Sequence, residues 1–289
     1  MNSKALREKL IVAQLNISRW GAKTYDKKAT KAVEATYHTK HDVGRFHKEV
    51  IDSKELKEID KLCGEMRSIH YTNTLPWGDN GDRLLPITNY KIYKDGMDDL
   101  IEKFNVEVEN FVNKYPQLKE EAAVRLNGLF DAKDYPEDIR PKFGIRINYT
   151  PIPIEDDVRL DLPDEDLNLI KESLTNNVTI KLEDALKDIW VRIEILLDKM
   201  VERLSDSNNM FKNSLIENIS DLIQVAPKLN VFNNPDLENT CKRMRELLVD
   251  PDNLRKNPSL RRLIAGKAAE IVNEVKNFAS AGSRVLELD

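Results

Sequence analysis

The stretch Asp79-Asn80-Gly81-Asp82 offers the oxygens and the tight turn that a calcium loop uses. A true calcium loop alternates its ligands and closes on a bidentate Glu, and neither feature follows here. These residues are expected instead to make Asx-type turns. The histidines are the next candidates. His38, His41 and His47 cluster, His70 lies beyond, and Cys63 could complete a zinc set. No established ligand spacing is matched, and the surrounding segment is basic, which opposes a cation. The acids at 155–166 fall in a Pro-punctuated loop and a helix start, where solvation and the helix dipole account for them. No Gly-rich phosphate cradle, serine elbow or supported Cys–His pair is found. The expectation is a protein without metal, cofactor or enzymatic activity. A hydrolase using Asp79 and Asp82 is kept only as a third reading.

Binding chemistry is better supported. Residues 1–48 interleave Trp20, Tyr25, Tyr37 and Phe46 with lysines. Cations for phosphates and rings for stacking make up the composition of a single-strand nucleic-acid binder. Lys23, Lys27, Lys28 and Lys31 are the candidate contacts. The same aromatic spacings also suit core packing. A protein partner has its candidates in Thr74–Pro86, where Trp77, Arg83, Asp79 and Asp82 lie close together. Two Pro and two Gly there argue against a regular element, yet Leu75, Trp77, Leu84 and Leu85 argue against a mobile linker. An ordered irregular loop over 73–88 is expected, with Trp77 as a structural plug or a partner contact.

The elements that must position these groups are mostly helical. Leu167, Ile170, Leu174, Val178, Leu182, Leu186, Ile189, Ile193, Leu196, Met200 and Leu204 recur every three or four residues, predicting one long helix from about 164 to 204. Its later part, 186-189-193-196-200, has a heptad rhythm, and Asn176-Asn177 is a candidate break. Asn234-Pro235, Asp250-Pro251 and Asn257-Pro258 each place Asx at an N-cap and Pro at the first helical position, predicting helices near 236–248, 251–256 and 258–279. Further helices are predicted over 3–14, 26–37, 53–71, 89–114, 116–129 and 207–225. Phe143–Tyr149 alternates as a strand, with Val158–Leu160 as its expected antiparallel partner. The fold class is mainly α: long antiparallel helices in a coiled-coil-like hairpin, a small two-stranded β element at about 143–160, and a C-terminal short-helix bundle. The expected blocks are a basic region 1–72, the loop 73–88, a long-helix body 89–226 and the C-terminal region 227–289.

Composition agrees with exposed helix surface. A third of the residues are charged (33%), aromatics are 7%, and mean hydropathy is -0.53. No run of 18 apolar residues and no signal-like leader is present, so a cytoplasmic protein without a membrane association is expected. Cys63 and Cys241 are expected to be reduced and buried. The net charge of -5 hides a polarity. Residues 1–48 carry eleven Lys/Arg against four acids, a net +7, whereas 155–188 carry eleven acids against four basic residues, a net -7. Attraction between these regions within the chain, head-to-tail contact between copies, and a basic arm for nucleic acid all follow from it.

At Thr74-Leu-Pro-Trp77 and Arg83-Leu-Leu-Pro86 the chain resembles an uncharacterised family of tailed-phage and prophage proteins. The likeness continues through Tyr135-Pro136, Phe143–Pro153, Val158–Asp161, Phe211–Asn218, Leu229-Asn230 and Asn234–Leu237. It implies a phage origin and the host cytoplasm as the setting, and it assigns no catalytic residue. The leading expectation is therefore a non-enzymatic helical interaction or assembly protein that self-associates or docks on another phage or host protein. The alternative is a nucleic-acid-binding protein of phage DNA metabolism acting through the basic N-terminal region.

Overall fold

The computed structural model describes residues 3–40, 43–206 and 209–280. Among them the chain is mainly helical, with two long helices, small sheets and a C-terminal cluster of short helices. It divides into two compact units. One takes the residues up to 14, 70–93 and those from 148 onward; the other takes 15–69 and 94–147. Each unit is assembled from separated segments rather than from the consecutive blocks that the sequence suggests.

The axis of the first unit is α5, Asp164–Ser205, which runs unbroken through Asn176-Asn177. From Val178 onward its stripe is buried, through Leu182, Leu186, Ile189, Ile193, Leu197, Met200 and Leu204. The cover comes from the same chain: α9 (Pro258–Ser280) and α6 (Ser214–Leu229) pack on it. Arg261 near the start of α9 donates to the Leu204 carbonyl at the end of α5, while Phe278 meets Trp190 with ring centroids 4.9 Å apart, so α5 and α9 are antiparallel. The heptad-like seam is thus a core seam. The predicted helix over 207–225 begins instead at Ser214 and continues through Pro227; Ser207 lies outside the described residues.

The three Asx-Pro starts are found as expected. Asn234 Oδ1 accepts from the Asp236 and Leu237 amides and opens α7 (Pro235–Arg245). Asp250 does the same for α8 (Pro251–Lys256), and Asn257 for α9. Each side chain satisfies amides that the first turn leaves without an acceptor.

The β structure corrects several expectations. The helix predicted over 3–14 stops at Lys9 (α1, Ser3–Lys9), and Leu10–Ser18 is a strand, β1. Ile11, Val12 and Ile17 are β-branched and stiff, which favours a pleated surface over a helix. The 73–88 loop is not irregular: β4 (Leu75–Pro76) and β5 (Asp82–Pro86) form a hairpin. β5 also pairs antiparallel with β1, Leu10 facing Pro86 and Gln14 facing Asp82. The prolines are tolerated because each ends its strand, and Gly81 takes φ +87° in the turn. β6 (Gly144–Pro151) neighbours β1, giving the order β4-β5-β1-β6, and Val158–Leu160 forms no strand.

The second unit contains the two-stranded sheet, though not where the sequence placed it. β2 (Lys23–Tyr25) pairs with β3 (His47–Glu49) around the helix α2 (Lys27–Thr36). Most of α3 (Lys57–Asn73) and of α4 (Ile87–Leu126) belongs here too. The two helices predicted at 89–114 and 116–129 are one, with Pro116 inside it. Pro removes one backbone bond, and the turn before it is held by packing: Trp20 packs on Phe111 and Tyr115, and Tyr115 donates to the Pro136 carbonyl at 3.2 Å. Cys63 and Cys241 are buried, unpaired thiols that burial pushes up in pKa. No helix among the described residues is long and apolar enough to cross a membrane.

Candidate functional site

The hairpin draws its two main candidates inward. Trp77 is buried in the same apolar core as Leu75, Leu84 and the α5 residues Leu182 and Ala185, with the Lys181 ammonium 5.2 Å from its ring centroid. At 6% exposure its ring offers little surface to a partner. Arg83 is half-buried; its Nε donates to Thr74 Oγ1 at 2.7 Å and its Nη2 to the Thr74 carbonyl at 3.1 Å. The guanidinium also lies 4.7 Å from the Tyr71 ring centroid. Burial, and then the positive charge of Arg192, pull its pKa down, while Asp188 counters. Asp79 remains exposed and Asp82 half-buried at the tip, where the Asp82 carbonyl accepts from the Trp77 and Gly78 amides.

Behind the hairpin lies a buried polar network that the sequence did not reveal. Arg192 on α5 donates to the Thr74 carbonyl at 2.8 Å and pairs with Asp188 at 2.7 Å. Thr74 Oγ1 donates in turn to the His70 carbonyl. His70 Nδ1 is 2.9 Å from the Tyr93 hydroxyl, and Asn89 donates to Asn73 Oδ1 at 2.8 Å. Burial, aided by the charge of Arg83, brings the His70 pKa down to about 4, and burial pushes the Tyr93 phenol up. His70 is therefore a neutral imidazole, with Nε2 unmatched among the described residues. The i, i+3/i+4 spacings of His70-Asn73-Thr74 and Asn89-Tyr93 were the available signal. The network fixes the hairpin root from α3, α4 and α5.

The histidine cluster does not assemble. His38 follows α2 at φ +53°, His47 is in β3 with its ring against Tyr25, and His41 lies outside the described residues. His70 belongs to the other unit. Among the described residues no group of three His, Cys, Asp or Glu side chains is placed to hold a metal ion.

The basic candidates sit on a built module in the second unit. Asp26 caps α2 by accepting from the Ala29 amide, and its own amide bonds to the Phe46 carbonyl. Lys48, buried beneath, reaches Asp26 at 3.0 Å, Asp134 at 2.7 Å and the Leu129 carbonyl at 2.7 Å. Burial works against its charge, but hydrogen bonds to Asp134 and Asp26 outweigh it and raise its pKa. Lys27, Lys28 and Lys31 are exposed on α2, and Lys23 pairs with Glu49 at 3.3 Å. Of the four aromatics, Trp20 is half-buried against Phe111 and Tyr115, whereas Tyr25, Tyr37 and Phe46 are exposed. Between α2 and residues 43–46 runs a groove of about 300 Å³ walled by Val33, Tyr37, Val43 and Phe46.

The acidic region is laid out differently. Arg7 ties down the segment before α5, donating to the Ile152 carbonyl at 2.8 Å and pairing with Asp157. Beyond it, no residue from 159 to 173 is buried. Leu160, Leu162, Leu169 and Ile170 are exposed there beside Asp161, Asp164, Glu165 and Asp166. Those acids favour the positive end of the α5 dipole, but nothing in the sequence marks the neighbouring leucines as bare. Beyond this geometry the chain stands by itself, for no protein-family model, curated protein or solved structure matches it.

Proposed function

We propose that the chain is a phage-encoded helical interaction protein, working by contact rather than catalysis in the host cytoplasm. It self-associates or docks on another phage or host protein. The observation that carries this reading is the bare apolar start of α5. Leu169 is 61% exposed at the start of α5 and Leu160, just before the helix, 53%, whereas the α5 stripe from Val178 onward is mostly buried. Contiguous exposed apolar side chains cost solvation and mark contact surfaces. This stretch is favoured as the contact over Trp77, which is 6% exposed, and Arg83, which is hydrogen-bonded to Thr74. Sedimentation across a concentration series, with identified partners retrieved from infected cells, tests it. A strict monomer that retrieves no defined partner removes the reading.

A second reading has its own support. Tyr25, Tyr37 and Phe46 stand exposed beside Lys27, Lys28 and Lys31, as stacking on single-stranded nucleic acid requires. A salt-sensitive mobility shift, lost when Lys23, Lys27, Lys28 and Lys31 become Glu, promotes it. No shift at low salt sinks it.

A further inference from the structure

Two surfaces leave apolar side chains in water, and their charges are opposite. The groove along α2 is walled by Val33, Tyr37, Val43 and Phe46, with Arg45 and the acid Glu34 in its lining and Lys27 and Lys31 exposed on the same helix, so that the cations outnumber the acid. The start of α5 presents Leu169 and Ile170 with Asp161, Asp164, Glu165 and Asp166. We propose that the groove of one copy receives the acidic start of α5 from a second copy. This rests on the self-association reading and names the two faces it would use.

The chemistry of each face selects the other. A polyanion satisfies the lysines but leaves Val33 and Val43 against water. A neutral apolar segment covers the valines and leaves the excess of cations over Glu34 unanswered. An acidic helix carrying aliphatic side chains meets both demands, which is the helix-in-groove mode of recognition. Leu167 and Ile170 are three residues apart and share a helix face, while Leu169 lies about a quarter-turn round the helix from Ile170. A groove of about 300 Å³ is at the small end of binding clefts and suits the anchors of a single turn or two. Because donor and acceptor faces differ, the contact is heterologous. Each bound copy still presents one unused face, so assembly closes into a ring or continues as a chain. Salt weakens it, since the charges lie on exposed side chains.

Two full-length variants test the pairing. In one, Val33→Ser is combined with Tyr37→Ser; in the other, Leu169→Ser is combined with Ile170→Ser. All four side chains are exposed, and circular dichroism with thermal melting verifies that each variant stays folded. By sedimentation velocity the wild type should grow in mass with concentration, and each variant alone should associate at least about tenfold more weakly. An equimolar mixture should then recover a species of two chains and nothing larger, because only one intact groove meets one intact helix start. A mixture that stays monomeric overturns the pairing. Wild-type association unchanged in both variants also overturns it, while leaving self-association through another face intact. A wild type that is monomeric throughout removes both. A groove variant that loses only oligonucleotide binding assigns the groove to nucleic acid instead.

Discussion

One helix carries two fates for the same sequence pattern. In α5 the apolar side chains recur every three or four residues from Leu167 to Leu204, yet only those from Val178 onward are buried. The later half lies against α6 and α9, and its end is held by Arg261, which donates to the Leu204 carbonyl. The first ten residues have no such cover. Periodicity therefore establishes that a face wants burial and does not say what supplies it. In the packed half the supplier is the same chain. In the bare half, by our proposal, it is another.

The largest effect should come from the packed half. Ile193 is fully buried in the seam, so Ile193→Ala removes buried methyl and methylene groups and leaves a cavity. The expected loss is about 2–5 kcal/mol, measured by urea unfolding. A loss below about 1 kcal/mol would show that the seam is loosely packed and would erase the contrast between the halves.

The packed half also borders a buried histidine. His70 lies in the network that Arg192 joins, and its pKa in the fold is about 4 against 6.5 for a free histidine. Its folded form resists protonation, whereas the unfolded chain binds a proton below 6.5. Stability from this group is thus present above pH 6.5 and is lost as pH falls towards 4, by about 3 kcal/mol across the window. His70→Gln should flatten that part of the stability–pH curve, measured by denaturant unfolding at several pH values. An unchanged slope would show that His70 titrates normally and is not sealed in.

The cover over the seam depends in part on a local signal. Asn234→Ala deletes the acceptor for the Asp236 and Leu237 amides at the start of α7, which packs on α6 and α9. The expected cost is about 1 kcal/mol. Such caps were legible in the sequence because the side chain reaches only two or three residues ahead. The α5 stripe was legible for a similar reason, as spacing is a property of one segment. β1 was not, because its partner β5 is some seventy residues away and nothing in Leu10–Ser18 names it. The hairpin was misread because Pro76, Gly78 and Gly81 were weighed as breakers, though they occupy a strand end and the turn. Of the candidate site, the lysines and rings of residues 20–46 could be listed from composition. Which rings face water could not, because Tyr37 and Phe46 at such spacings read equally as core.

The smallest effect on stability should come from the bare half, and it bears most directly on the comparison. Leu169 is 61% exposed in the fold, so Leu169→Ala moves little apolar surface between unfolded and folded states. Alanine is also the stronger helix former, which offsets part of what is lost. Unfolding free energy should therefore change by no more than about 0.5 kcal/mol at low protein concentration. Hydrogen exchange should agree: amides of residues 164–173 should open locally, while those of 182–204 exchange only with global unfolding. Repeating both measurements at high concentration separates the explanations for the exposed face. Protection that rises with concentration at 164–173 and is abolished by Ile170→Ser means that the face is covered by another copy. Protection already present at low concentration means that the chain covers it itself, and the division of α5 into two halves fails.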